Sequence, residues 1–87
     1  MSPSDARPLA SLRAGDRGTV VEVLRDPNGR SERLAALGVT RGARITVLQT
    51  FPGIVFECDQ TELAVERSVA RVILVATGSE VVHRAIR

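Results

Sequence analysis

The stretch Arg33-Leu34-Ala35-Ala36-Leu37-Gly38-Val39-Thr40-Arg41-Gly42 constrains this chain more than any other. Leu34 and Leu37 stand three apart and therefore share a helix face. Gly38 falls where a helix needs a residue at positive φ to satisfy its last carbonyls. Gly42 offers a second turn, after which Ala43, Arg44, Ile45, Thr46 and Val47 alternate apolar with polar, the period of a half-buried strand. The segment predicts a short helix, stopped by glycine and feeding a strand. Ser31 predicts the helix N-cap for Glu32 to Leu37, with Glu32 suited to the positive end of the helix dipole.

β-rich sequence lies on both sides. Gly15-Asp16 signals a turn before Gly18 to Arg25, whose β-branched run predicts the first main strand. Val21 and Val23 are expected on one face, and Val20, Glu22 and Leu24 on the other. Asp26-Pro27-Asn28-Gly29 carries strong turn chemistry. Ile45 to Gln49 predicts a second strand, Phe51-Pro52-Gly53 its connection, and Ile54 to Cys58 a third. Asp59 to Glu62 predicts a hairpin turn into Leu63-Ala64-Val65. Glu66 to Val69 then fits a single helical turn before a last strand over Arg71 to Val75.

At 87 residues the chain is one domain, and folding at this size buries about 60–65% of the unfolded surface, so almost every apolar side chain enters one core. About five short strands, tight turns and one short helix predict a mainly β fold, a small closed antiparallel barrel of SH3-like type whose closure removes exposed edges, with an open-edged OB-type barrel as the second reading. Residues 1–8 read as a polar, proline-bracketed leader, 9–76 as the domain, and 77–87 as a tail. In the tail, Val81, Val82, Ala85 and Ile86 form one helical stripe, and a docked helix and a frayed end both stay open.

The chemistry-bearing residues are few. One cysteine, Cys58, and one histidine, His83, exclude an internal disulfide and any closed zinc site. Cys58 ends an apolar run and reads as a small core hydrophobe. Glu57, Asp59 and Glu62 are too local in sequence to argue a metal site. No Ser/His/Asp or Cys/His constellation and no phosphate-cradling glycine loop is present, so no enzyme, cofactor or resident metal is expected. The twelve cations are all arginine, interleaved with ten carboxylates for a net charge of +2, and neither Tyr nor Trp occurs. That dispersal disfavours nucleic-acid binding. The longest wholly apolar run, Val72 to Ala76, is far short of a membrane span, and the N-terminus lacks the basic-then-apolar pattern of a signal peptide.

Leu12-x-x-Gly15, Gly18-x-Val20-x-x-Val23, the central Arg33-Leu34-x-x-Leu37-Gly38-Val39-x-x-Gly42-x-x-Ile45-x-Val47, Leu63-Ala64-Val65 and Ala70-x-Val72-Ile73-x-Val75 together resemble the FeoA family. The likeness runs from about Leu9 to Val75. Two departures stand out: the Phe51-Pro52-Gly53 connection is shorter than the family's loop, and Arg41 replaces a frequent proline. The resemblance implies an SH3-like barrel and a non-enzymatic cytosolic accessory protein of ferrous iron transport. Such a protein docks on the cytoplasmic domain of a FeoB-type permease, modulates its assembly or activity, and is drawn by it to the inner membrane face. Self-association stays open. The alternatives are a free-standing SH3-like domain of the kind found in metal-dependent repressors, or a small nucleic-acid-binding barrel.

A docking surface is expected on the helix and its glycine turn, because contacts collect on loops and short helices held by a rigid scaffold. Leu34 and Leu37 either fasten the helix to the barrel or present one side chain outward. Arg33 and Arg41 flank them and suit an acidic partner surface. Gly15, Gly38 and Gly42 are expected as structural turns.

Overall fold

The computed structural model describes residues 6–25 and 29–77. In chain order the elements are β1 (Ala6–Pro8), a 3₁₀ turn (Leu9–Ser11), β2 (Arg17–Val23), α1 (Arg30–Ala36), β3 (Arg44–Gln49), β4 (Ile54–Cys58), β5 (Thr61–Val65), α2 (Arg67–Ala70) and β6 (Ile73–Ala76). The strands form one six-stranded sheet in the order β1-β6-β2-β3-β4-β5, with every neighbouring pair antiparallel. The fold is mainly β, as expected, with β1 added to the strands read from sequence. β1 pairs Ala6, Arg7 and Pro8 with Ala76, Val75 and Leu74. These residues carry no apolar period of their own and take strand form from β6. The closure expected of the barrel is not made: among the described residues the ladder does not run from β5 round to β1, so the sheet curls without closing its hydrogen bonds into a ring.

Alternation places the core. Val20 of β2, Ile45 and Val47 of β3, Ile54, Phe56 and Cys58 of β4, and Ile73 and Val75 of β6 all point inward and are buried. Leu9 of the 3₁₀ turn and Leu12 just after it, Leu34 of α1, Val39, and Val69 and Ala70 of α2 cap the same core, while Leu63 and Val65 of β5 pack at its margin. The even division of β2 into two faces fails at a β-bulge between Val20 and Glu22. The extra residue breaks the period of two, so Val20 is buried while Val21 and Val23 are half-buried and Leu24 is 41% exposed.

Close approach rather than turn geometry requires Gly18. A Cβ there would lie 2.4 Å from a Val75 methyl and 2.7 Å from the Ala76 carbonyl oxygen. β2 crosses β6 at this point with no space for a side chain.

The hairpin from β4 to β5 is made by Asp59 and Gln60, both at positive φ (50° and 77°), between the paired Cys58 and Thr61. Positive φ at both loop residues is what a type I′ connection requires to match strand twist. Arg67 fastens the β3–β4 tip by donating to the Thr50 carbonyl (2.5 Å) and the Ala10 carbonyl (3.4 Å).

The helix start differs from expectation. Gly29, at φ 76° and ψ 10°, occupies the N-cap position with no side-chain cap bond, and Ser31 lies inside the first turn. A left-handed glycine turns the chain into the helix without a capping hydroxyl, which moves the start back to Arg30. The remainder of the predicted Asp26–Gly29 turn, the Met1 to Asp5 part of the leader and the tail beyond Thr77, including His83, lie outside the described residues.

The helix end agrees with the sequence in detail. Gly38 has φ 98°, its N–H donates to the Ala35 carbonyl, and the Val39 N–H donates to the Leu34 carbonyl, each at 3.0 Å. That bond pair is a Schellman motif, and Leu34 and Val39, buried together, supply its hydrophobic contact. Gly38→Val puts a β-branched side chain into the left-handed region and is expected to cost about 1–2 kcal/mol, read as a lower urea midpoint with unchanged slope.

Candidate helix-and-edge docking site

The Schellman turn decides the question that sequence left open about the two leucines. Val39 draws the chain back into the core one residue after Gly38, so the α1 face through Leu34 is held inward. Leu34 is 3% exposed, whereas Leu37, at the C-cap, is 49% exposed. Leu34 fastens the helix and Leu37 faces out.

The two arginines expected to flank them are separated. Arg33 lies with Leu34 and Leu37 along a groove of about 360 Å³ between α1 and the β5–α2 connection, where Arg30, Ala64 and Val65 also contribute. Arg33 is exposed, and among the described residues its side chain makes no ion pair or hydrogen bond. Arg30 Nη1 stands 3.5 Å from Glu66 Oε1 and 3.2 Å from Ser68 Oγ, tying α1 to the start of α2. Such an exposed pair contributes little to stability but holds the groove's far wall in place.

Arg41 lies on the other side of the helix. Its Nε donates to the Val21 carbonyl at 3.2 Å, and it lines a separate cavity of about 700 Å³ with Glu22, Arg25 and Glu32. Thus Arg33, Leu34 and Leu37 are brought together, while Arg41 serves the Gly38–Gly42 turn and a different surface. Gly15 and Gly42 occupy positive-φ turns, at 96° and 94°. Sequence reading missed Arg30, which only the earlier helix start places on this face, and β5, which lies far from α1 in the chain.

Cys58 is buried at 2% exposure, and its thiol donates weakly to the Gly38 carbonyl, with sulfur and oxygen 3.6 Å apart. Burial first, and the neighbouring Asp59 charge second, push the thiol above its ordinary pKa. The folded chain therefore holds its thiol proton to higher pH than the unfolded chain does, and stability, fully present below the unfolded thiol's pKa, falls as pH rises from there through the folded thiol's. The urea midpoint is expected to be lower at about pH 10 than at about pH 7. The comparison is made against Cys58→Ala, which should lose that part of the slope.

Among the described residues no group of three or more His, Cys, Asp or Glu side chains is placed to hold a metal ion. No helix among them is long and apolar enough to cross a membrane.

A six-stranded antiparallel sheet wrapped on one core, with a glycine-stopped helix beside its β5 edge, defines a small SH3-like domain. The chain belongs to the FeoA family: the FeoA domain matches residues 7–77. FeoA protein from Chlorobium tepidum is 36% identical, with a TM-score of 0.73 over 82% of this chain and 70% of that one. The zinc complex of Stenotrophomonas maltophilia FeoA, a prokaryotic SH3 domain protein, shares the fold at 22% identity and a TM-score of 0.70, over 79% of this chain and 88% of that one. A manganese-dependent transcriptional repressor matches at 28% identity and a TM-score of 0.76, over 88% of this chain and 43% of the repressor. No curated protein matches the chain in sequence.

Proposed function

We propose that this chain is a cytosolic accessory protein of ferrous iron transport. It docks on the cytoplasmic domain of a FeoB-type permease, without chemistry of its own, and modulates the permease's assembly or activity. Family membership supports the transport role. The observation that carries docking is Leu37, a large apolar side chain left 49% exposed on a helix whose neighbouring Leu34 is 3% exposed. A leucine held out by a Schellman turn, beside an arginine with no partner among the described residues, supplies an apolar anchor with a steering charge. The S. maltophilia relative is itself described as a candidate activating factor of bacterial ferrous iron transport.

The test is co-purification with a tagged permease from membranes, paired with ferrous iron uptake by the same cells. Leu37→Glu is expected to reduce permease recovery at least about tenfold, the consequence of losing about 1.4 kcal/mol at an interface anchor. Its melting temperature should stay within about 2 °C, because surface substitutions away from special features cost little. Full recovery with Leu37→Glu sinks the assignment of this face. Failure of the unaltered chain to bind the permease sinks the function.

The repressor match favours a second reading, a domain of a metal-responsive regulator. Calorimetric titration with manganese separates the two, since only the second expects saturable binding.

A further inference from the structure

The two ends of the sheet are unequally protected. β1 is three residues long, ends in Pro8 and carries Arg7, which are features that blunt an edge against further pairing. β5 at the opposite end has five residues, Thr61-Glu62-Leu63-Ala64-Val65, with no proline and no cation. It pairs, among the described residues, only with β4. Among the described residues no turn or loop backbone bond falls on β5. Its outward-directed N–H and C=O groups are thus presented as a template for another strand. The groove with Arg33 and Leu37 on its opposite wall runs along the C-terminal half of this edge.

We propose that β5 and α1 together accept an extended segment of a partner protein, added to the sheet as a further strand and carrying acidic and apolar side chains at alternate positions. The inference rests on the reading that the chain works by docking, and it specifies how. A strand beside β5 points every second side chain to one face. Residues two apart can therefore meet Leu37 with an apolar group and Arg33 with a carboxylate. Among the described residues the groove holds two guanidiniums, Arg30 and Arg33, against one carboxylate, Glu66, which pairs with Arg30, so the partner's carboxylate belongs opposite Arg33 at the Ala64–Val65 end of β5, away from Glu62.

The same residues disfavour a second copy of this chain as the occupant. Glu62 stands directly across from Glu57 on β4. Antiparallel pairing of two β5 strands about Leu63 would set both copies' Glu62 side chains diagonally on one face, each backed by its own Glu57. Like charges so placed oppose pairing.

The test uses the full chain, labelled with nitrogen-15, and a blocked synthetic peptide of alternating threonines in which glutamate and leucine stand two residues apart. Saturable binding is expected on the order of 1 mM or tighter, with amide shifts and slowed exchange at Thr61–Val65 and shifts around Leu37. Arg33→Glu should weaken binding about tenfold and reverse the preference towards a peptide with lysine for glutamate. N-methylation at alternate backbone positions should abolish binding in the register that turns the methyl groups towards β5 and spare it in the other, because successive N–H groups of a strand point to opposite edges. The proposal is overturned by shifts confined to the Arg41 cavity, by equal binding of both N-methylated peptides, or by a dimer in ultracentrifugation whose Thr61–Val65 amides are protected without peptide. The purified cytoplasmic domain of the permease separates the two levels. If it binds the chain yet neither displaces the peptide nor protects β5, the docking function stands and this mode of docking fails. If the peptide binds β5 and the permease domain binds nowhere, the function fails and the site stands.

Discussion

Leu34→Ala is expected to lower the unfolding free energy by about 2–5 kcal/mol, the range for truncating a buried leucine. For a domain of this size that is a large part of the total. Leu34 is 3% exposed and sits where α1, Val39 and the sheet meet. It also supplies the carbonyl that receives the Val39 N–H. Truncation leaves a void under a helix of seven residues, Arg30–Ala36, too short to persist without its tertiary contact. The helix should loosen first, with faster amide exchange from Arg30 to Gly38, ahead of the sheet. Leu37→Ala provides the contrast, because its side chain is half in solvent and its loss should change stability by less than about 0.5 kcal/mol. A chemical denaturation series on the two variants checks both. Equal midpoints would contradict the division of labour between the leucines.

Gly18→Ala is expected to cost about 2–3 kcal/mol, at the upper end of the usual overpacking range. The added methyl would meet Val75 at 2.4 Å and the Ala76 carbonyl oxygen at 2.7 Å. The valine can change rotamer, but the carbonyl belongs to the β2–β6 ladder and moves only with the strand. The sheet must open between Thr19↔Ala76 and Val20↔Val75 to admit the side chain. The damage should therefore appear in β6 and β1, read as increased amide exchange at Ile73–Ala76. An unchanged melting midpoint would show that β6 shifts without cost.

Local chemistry made much of this fold legible. Gly38 stops the helix because only a left-handed residue closes its carbonyls, and alternation from Ala43 fixed which β3 residues enter the core. Asp59 and Gln60 fell inside a recognisable turn. Three features were hidden, each for a definite reason. β1 has no periodic pattern and owes its strand to pairing with β6. Ser31 carries the right side chain for a cap, but capping is a preference that a left-handed Gly29 supersedes. Spacing alone puts Leu34 and Leu37 on one face without saying which lies deeper; the bonds around Gly38 decide that. The groove was out of reach for a further reason: α1 and β5 lie far apart in the chain and meet only through the curl of the sheet. Arg41 separates from Arg33 because the intervening Gly38 turn carries the chain round to the other side.

The short, proline-ended β1 has a consequence for assembly. A sheet that can be lengthened from one side only has a valence of one. If a second folded copy joins at β5, the product is a capped pair with no further growing end, and fibrils formed by edge-to-edge stacking of folded domains have no route to propagate. Concentrated solutions of the folded chain should accordingly show at most a two-body limit in light scattering, and open-ended polymers would mean that β1 is a working edge after all.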